Sequence, residues 1–571
     1  MKRIGRLAVL MILCLSMVRS VLPTVTFALT SGDFEYEKLK DGTVEITGYT
    51  GSARVRLLEI PDTLDGKTVS TIAGRAFSCC HTIEDVVIPE SVTTIGAEAF
   101  SSCSALENVS VPESVKEIGT GAFSGCVQLT TISVADKNPS YRIIDASLYT
   151  KDGKTLMQFI PKEGETEVIL PDSVTSIEAY AFSDCASLRR IVLPSALRKI
   201  ETRTFQRCTA LESIEIPYTV TDIESYAFYH CDSLKTIEIP EGVRQIGEGV
   251  FAECKSLERA TIPDAQEVLD GTFSGCAALR SITIPDSVRL ILDFTFHGCS
   301  SLQTVTIPNG VEEIRTQAFS DCTALESITI PDSVVSIEES ALIGCPKLTD
   351  ITVGENNATY TVYQGHLFTK DKTALLRYVP KENEKDAVIP EGTARIGSYA
   401  FHGCDTLQSV TFPSSLKEIG SAAFEHCTSL KEVALPEGLT NIASETFYGC
   451  TALERVTIPK SVTAIERGAF NDCDRLTEVQ YDGTDAEWAS IRIEDGNDAL
   501  KDDDNAVGWI VAGAVMAVLL AILAVAVAKS KLKKTTSDKE TLACVCPQCG
   551  WKSDQFVEFC GQCGTRIDGS R

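Results

Sequence analysis

One spacing governs what this chain can fold into: an Ala-Phe-like dipeptide returns every 23 residues. Phe77, Phe100 and Phe123 are 23 apart, as are Phe182, Phe205, Phe228 and Phe251. Phe273 follows after 22, Phe296 and Phe319 after 23 again, and Leu342 takes the next place. Phe401, Phe424, Phe447 and Phe470 complete the set. One unit, starting at Ala318, reads AFSDCTALESITIPDSVVSIEES, with apolar residues at Phe319, Cys322, Leu325, Ile328, Ile330, Val334 and Ile337. The alternation from Ile328 to Ile330 is strand periodicity. Pro331 ends that strand because it has no amide hydrogen for a ladder. Val334 to Ile337 reads as a second short extended piece, and no unit has room for a long helix. A lone unit of this size cannot bury its apolar side, so the units must stack and share one core. About fifteen rungs at roughly 4.8 Å each predict a stack about 70 Å long.

The recurring IPxSVxxIGxxAFxxC, as in IPESVTTIGAEAFSSC from Ile88 to Cys103, resembles the BspA-type leucine-rich repeat of bacterial surface proteins. The resemblance covers about residues 34–495. It implies a β-rich leucine-rich-repeat solenoid of short strands and turns with little helix, over residues 59–480. FEYEKLKDGTVEITGY, within 29–58, resembles that family's N-terminal cap, and YDGTDAEWAS from Tyr481 its C-terminal cap, with 481–505 serving as cap and linker. Caps are physically required, because a bare end rung exposes strand edges and core. The array is interrupted twice, near 135–170 and 354–389. The two insertions match at an offset of 219, pairing Tyr141 with Tyr360, Leu148 with Leu367, Tyr149 with Phe368 and Pro161 with Pro380. LYTKDGKTL and LFTKDKTAL each read as two strands around a polar turn. Hairpins beside the solenoid are expected there, as spacers in preference to binding elements.

Residues 1–28 read as a secretory signal peptide: Lys2, Arg3 and Arg6 precede an apolar run from Leu7 to Val18. Residues 506–528 are apolar and uncharged, long enough to cross a bilayer as one helix. Asp502, Asp503 and Asp504 precede this segment, and Lys529, Lys531, Lys533 and Lys534 follow it in a basic juxtamembrane linker, 529–540. The lysines place the C-terminus in the cytoplasm. Both signals predict a single-pass plasma-membrane protein with its repeat domain extracellular.

The tail, 541–571, carries Cys546 and Cys549 in CPQCG and Cys560 and Cys563 in CGQCG. This C-x2-C-x10-C-x2-C spacing reads as a zinc ribbon whose four thiolates close a tetrahedral, structural site. Rubredoxin-like iron is the alternative. The other cysteines fall one per rung from Cys80 to Cys473, in an apolar slot where a small buried thiol packs well. Free core thiols are expected there in place of disulfides, with Cys79 pointing outward.

The formal charge is -27, from 79 acidic and 52 basic side chains, concentrated in the repeat region. Nucleic acid is therefore not an expected partner. Six histidines (His81, His230, His297, His366, His402 and His426) are scattered, and no zinc-protease, nucleophile-elbow or phosphate-loop motif occurs. Thr261, Thr283, Thr306, Thr329 and Thr352 form an outward column whose neighbouring column, Ile or Val, is expected to face inward. The sequence predicts a non-enzymatic cell-surface interaction or adhesion protein with an extracellular protein or glycan ligand. The alternative is a transmembrane receptor or scaffold whose cytoplasmic zinc ribbon recruits a protein partner.

Overall fold

The computed structural model describes residues 29–500, apart from 52–54, 265–266, 269 and 382–383, together with 544–545 and 552–553. It divides into two units, Met1–Lys151 and Asp152–Arg571. The segments read as signal peptide and membrane span lie outside the described residues. Among the described residues no helix is long and apolar enough to cross a membrane. Each unit is a β-solenoid of short parallel strands with almost no helix.

In the first unit, Leu29–Ser31, Phe34–Lys38 and Val44–Tyr49 form an antiparallel ribbon. Its last strand pairs parallel with Lys67–Ile72, which begins the rung ladder continued by Thr94–Ile95 and Glu117–Ile118. Phe34 and Tyr49 close over the first rung phenylalanine, with ring centroids 6.4 and 5.6 Å from Phe77. A second ladder runs through Leu57–Glu59, Asp85–Val87, Asn108–Val111 and Thr131–Val134. Its register repeats at 23 residues (Asp85 beside Asn108, Asn108 beside Thr131), so like residues stack on like. The inward members Val86, Val109 and Ile132 are buried.

The second unit repeats this plan. Phe159, Phe182, Phe205, Phe228 and Phe251 stack at 4.8 to 5.4 Å, and the ladder continues through Phe273, Phe296 and Phe319. After the insertion it resumes as Tyr378, Phe401, Phe424, Phe447 and Phe470. Phe159 and Tyr378 each lie 23 residues before the next rung phenylalanine. They fill the aromatic slot without the Ala-Phe signature. Each insertion thus ends in a disguised rung.

That changes the picture of the insertions as hairpins beside the stack. In the second, Tyr360–Tyr363, His366–Thr369 and Ala374–Arg377 form an antiparallel meander. Its last strand then pairs parallel with Arg395–Ile396, inside the ladder. Phe368 and Leu375 join the core, and Leu367 is buried beside them in the meander. Asn357, fully buried, locks the junction. Its amide donates to the Pro331 and Val334 carbonyls at 2.8 and 3.0 Å, and its oxygen accepts from the Thr359 and Tyr360 amides at 2.9 and 2.7 Å. The Tyr360 hydroxyl accepts from the Ile337 amide at 2.8 Å. In the first unit Asn138 and Tyr141 repeat the device, bonding to Pro112, Val115, Ser140 and Ile118.

The Ala-Phe turn has a backbone logic that glycine marks in some rungs, as at Gly121 and Gly125, but not in others. Residues two before and two after the phenylalanine take positive φ, as at Tyr226 (60°) and His230 (58°) around Phe228. This conformation sets alternate amides toward the next rung. The amides of Tyr226, Phe228 and His230 reach Glu248, Val250 and Ala252. Those of Tyr229 and Cys231 bond within their own rung to Tyr226 and Phe228. The strain of non-glycine positive φ, about 1–2 kcal/mol per residue, is offset by satisfying buried amides that have no water to bond.

The rung thiols belong to the same turn. The Cys231 thiol donates to the Phe205 carbonyl of the preceding rung at 3.2 Å, and those of Cys254, Cys299, Cys322 and Cys427 repeat the contact at 3.2 to 3.3 Å. The repeat cysteines are free thiols, and most are buried; Cys79 is half-exposed. Burial pushes the Cys345 and Cys404 thiols up to about 11 and Cys473 to about 12. Thiolate is the reactive form. Iodoacetamide labelling of the native protein at pH 8, mapped by peptide mass spectrometry, is therefore expected to modify Cys79 and to spare Cys345, Cys404 and Cys427. Rapid modification of the buried set would contradict this packing.

Candidate interaction surface

The short strands expose every second side chain. In the second unit Ile214 is buried between Ser213 and Glu215, which point outward. Two outward columns therefore run up this face. One reads Ile169, Val192, Glu215, Glu238 and then the threonines from Thr261 to Thr352. The other reads Arg190, Ser213, Thr236, Arg259, Ser281, Thr304 and Ser327. The expected inward Ile or Val column lies between these two. The threonines consequently have an outward hydroxyl neighbour that the sequence reading overlooked: Ser281 beside Thr283, Thr304 beside Thr306, Ser327 beside Thr329. The Thr352 hydroxyl donates to that of Thr329 at 2.8 Å.

The face is not uniform. The 22-residue step from Phe251 to Phe273 removes one residue between Pro263 and Val268. Around that rung both ladders lapse. Thr236–Ile237 and Arg259–Ala260 pair only with each other, and the second ladder stops at Gln245–Ile246 and restarts at Glu267–Val268. The Thr261 hydroxyl turns to accept the Ile239 amide at 2.8 Å, in place of a ladder carbonyl.

A groove of about 1180 Å³ opens here. Pro240, Pro263 and Pro285 line it together with Glu215, Glu238, Glu241 and Asp264, and none of its lining residues is basic. Through Ser213–Ile216 it adjoins a second hollow of about 610 Å³ that includes Val192, Pro217 and Tyr218. Tyr218 is 81% exposed, Ile169 79% and Val192 40%. Val192 and Tyr218 share that hollow, and Ile169 precedes Val192 in the outward column.

A sequence model of the BspA type leucine rich repeat region (6 copies) matches residues 49–151, 159–276, 266–371 and 380–489. The chain belongs to the BspA-type leucine-rich-repeat family. Solved structures similar to it include a leucine-rich repeat protein from Bacteroides ovatus, 25% identical over 82% of this chain and 100% of that one, with a TM-score of 0.40. A leucine rich cell surface protein from Faecalibacterium prausnitzii is 27% identical over 83% and 98%, with a TM-score of 0.33. The pneumococcal vaccine antigen PcpA is 18% identical over 80% and 82%, with a TM-score of 0.30. No curated protein matches the chain. The BspA-type match restarts at the short rung, since its second and third segments overlap over 266–276.

The metal ligands expected in this BspA-type chain, Cys546, Cys549, Cys560 and Cys563, lie outside the described residues. Beside the first pair, Cys544–Val545 and Lys552–Ser553 pair antiparallel. Of the histidines, His402 and His426 come together, with ring centroids 6.0 Å apart and each 3.8 Å from Glu425, while the others stand apart. His366 is buried and stacked on Tyr378, and burial holds its imidazole down to about 4, so it stays neutral. His230 faces Asp232 at 3.3 Å, while the adjacent Cys231 thiol turns into the core. His297 Nδ1 contacts the Ser320 hydroxyl at 2.7 Å and lies 3.7 Å from Asp321. A relay through imidazole needs serine and carboxylate on opposite ring nitrogens. Here both meet the same nitrogen, and Ser320 is fully buried.

Proposed function

We propose that this BspA-type protein is a non-enzymatic cell-surface interaction or adhesion protein that binds an extracellular protein or glycan through the strand face of its repeats. The observation that carries the reading is the open strand face of the second unit, with Ile169, Val192 and Tyr218 set among outward polar columns. Repeat stacks offer extended surfaces of this kind, read by many side chains at once. The acidic balance disfavours nucleic acid. In this proposal residues 1–28 direct secretion, 506–528 anchor the chain as one helix, and the lysines after it hold the tail in the cytoplasm. Pull-down with the intact, detergent-solubilised protein from a panel of extracellular proteins and glycans tests it. A specific partner is expected, and a panel without one would count against adhesion.

The tail supports a second role, as a receptor or scaffold recruiting a cytoplasmic partner. Cys546, Cys549, Cys560 and Cys563 would hold one structural zinc ion, because reduced thiols persist in the cytoplasm. The antiparallel pairing of Cys544–Val545 with Lys552–Ser553 fits a Cys-x-x-Cys segment between two strands. Metal analysis of intact protein from zinc-replete cells is expected to give about one zinc per chain, lost on replacing Cys546 and Cys560 with serine. A substoichiometric zinc content or bound iron would refute the zinc assignment. Deleting 541–571 separates the roles: the receptor reading fails if every cellular phenotype survives.

A further inference from the structure

The groove at the short rung has a chemistry narrower than "interaction surface". Glu215, Glu238, Glu241 and Asp264 reach it from three successive rungs. None of them makes an ion pair among the described residues, although exposed carboxylates elsewhere on the unit do, as in Glu432–Arg455–Glu478 at 3.2 and 2.6 Å. Unpaired carboxylates over a proline floor suit a cationic ligand that also has apolar surface to bury. The adjoining hollow supplies the apolar part through Val192 and the exposed ring of Tyr218. Tyrosine in such a position is a frequent binding anchor.

Spacing restricts the ligand further. Neighbouring rungs lie about 4.8 Å apart, so carboxylates on three rungs span roughly 10 Å along the stack. An extended peptide rises about 3.3 Å per residue and returns side chains to one face every second residue. Two basic residues with one between them sit about 6.6 Å apart on one face, and their long flexible stems splay to cover the rest of that span.

Resting on the interaction reading above, we propose that this groove binds an extended Lys/Arg-x-Lys/Arg segment of an extracellular protein, with a flanking aliphatic or aromatic side chain placed against Tyr218. Complementary charge would set its recognition and encounter rate, and binding would weaken as salt screens the carboxylates.

Fluorescence anisotropy with the full-length protein in nanodiscs tests this. The probes are a labelled extended peptide containing Lys-Val-Lys-Leu and a matched peptide containing Glu-Val-Glu-Leu. The lysine peptide is expected to bind and the glutamate peptide not. Glu215→Gln, Glu238→Gln and Glu241→Gln together are expected to weaken the lysine peptide about tenfold, while Glu312→Gln, Glu326→Gln and Asp350→Asn together leave it unchanged. Circular dichroism confirms that both triple variants keep their fold. Equal binding of the two peptides, or equal loss in both triple variants, overturns the proposal. So does tight calcium binding that the groove variant abolishes, or self-association that the lysine peptide fails to compete. A partner from the pull-down that ignores the groove variant would sink this inference and leave the interaction reading standing. Peptide binding without any cellular partner would do the reverse.

Discussion

Replacing Asn357 with alanine is expected to destabilise the second unit by about 4 kcal/mol. The side chain is fully buried and makes four hydrogen bonds, two as donor and two as acceptor. Its loss strands the Val334 carbonyl and the Thr359 and Tyr360 amides, and leaves the Pro331 carbonyl only its 3.3 Å bond from the Val334 amide. Each such orphan costs roughly 1–3 kcal/mol, and relaxation of the junction recovers part of the total. Asn357→Asp keeps both accepting contacts and loses both donating ones, so it is expected to be nearly as damaging. Because long repeat arrays depart from two-state unfolding, hydrogen exchange of the Ile337 and Tyr360 amides is the sharper readout. Both amides should lose protection by orders of magnitude in Asn357→Ala, while the Phe447 amide should change little. A loss below about 1 kcal/mol would mean that the junction is not held by this residue.

Phe296→Ala is expected to cost about 3–5 kcal/mol. The ring is fully buried and stacks on Phe273 at 5.8 Å and Phe319 at 5.3 Å. Alanine removes both ring contacts and opens a cavity that rungs fixed by hydrogen bonds on either side cannot close. Phe296→Leu should cost far less, because Leu342 occupies the same slot one rung beyond Phe319 and is itself buried. Thermal unfolding followed by circular dichroism checks the order: wild type, then leucine, then alanine, with a clear gap between the last two. Equal effects of the two substitutions would show that ring stacking does not carry the core.

The repeat was legible because phenylalanine, cysteine and the I-x-I-P strand recur in fixed register, and burial follows that register directly. The disguised rungs were not legible. Phe159 and Tyr378 follow Gln158 and Arg377 instead of a small or β-branched residue, and Lys162 and Lys381 stand where the rung cysteine would be, so the repeat signature passes over them. The positive-φ turn positions were only partly marked. Glycine signals some of them, as at Gly121, Gly125, Gly271 and Gly275, but Tyr226, His230, Arg203 and Glu253 hold the same conformation because inter-rung hydrogen bonds compensate. The inward isoleucine or valine column was read correctly, but the second outward column, at Ser281, Thr304 and Ser327, was passed over because it lies on the far side of that buried residue. The groove had one visible sign, the 22-residue step. Its consequence, lapsed ladders and four gathered carboxylates, depends on how rungs pair in space and could not be read from spacing alone.

The strand face is the core of the functional account, and one comparison tests it most directly. Cells displaying the full-length protein carry a single arginine at Val192, Glu238 or Thr329 on the strand face, or at Asp321 or Asp472 on the Ala-Phe turn edge. Binding of the extracellular partner from the pull-down is then measured by flow cytometry at equal surface expression. Loss confined to one or more strand-face variants is the predicted result. Binding that survives all three and fails instead at the turn edge would contradict the assignment of this surface.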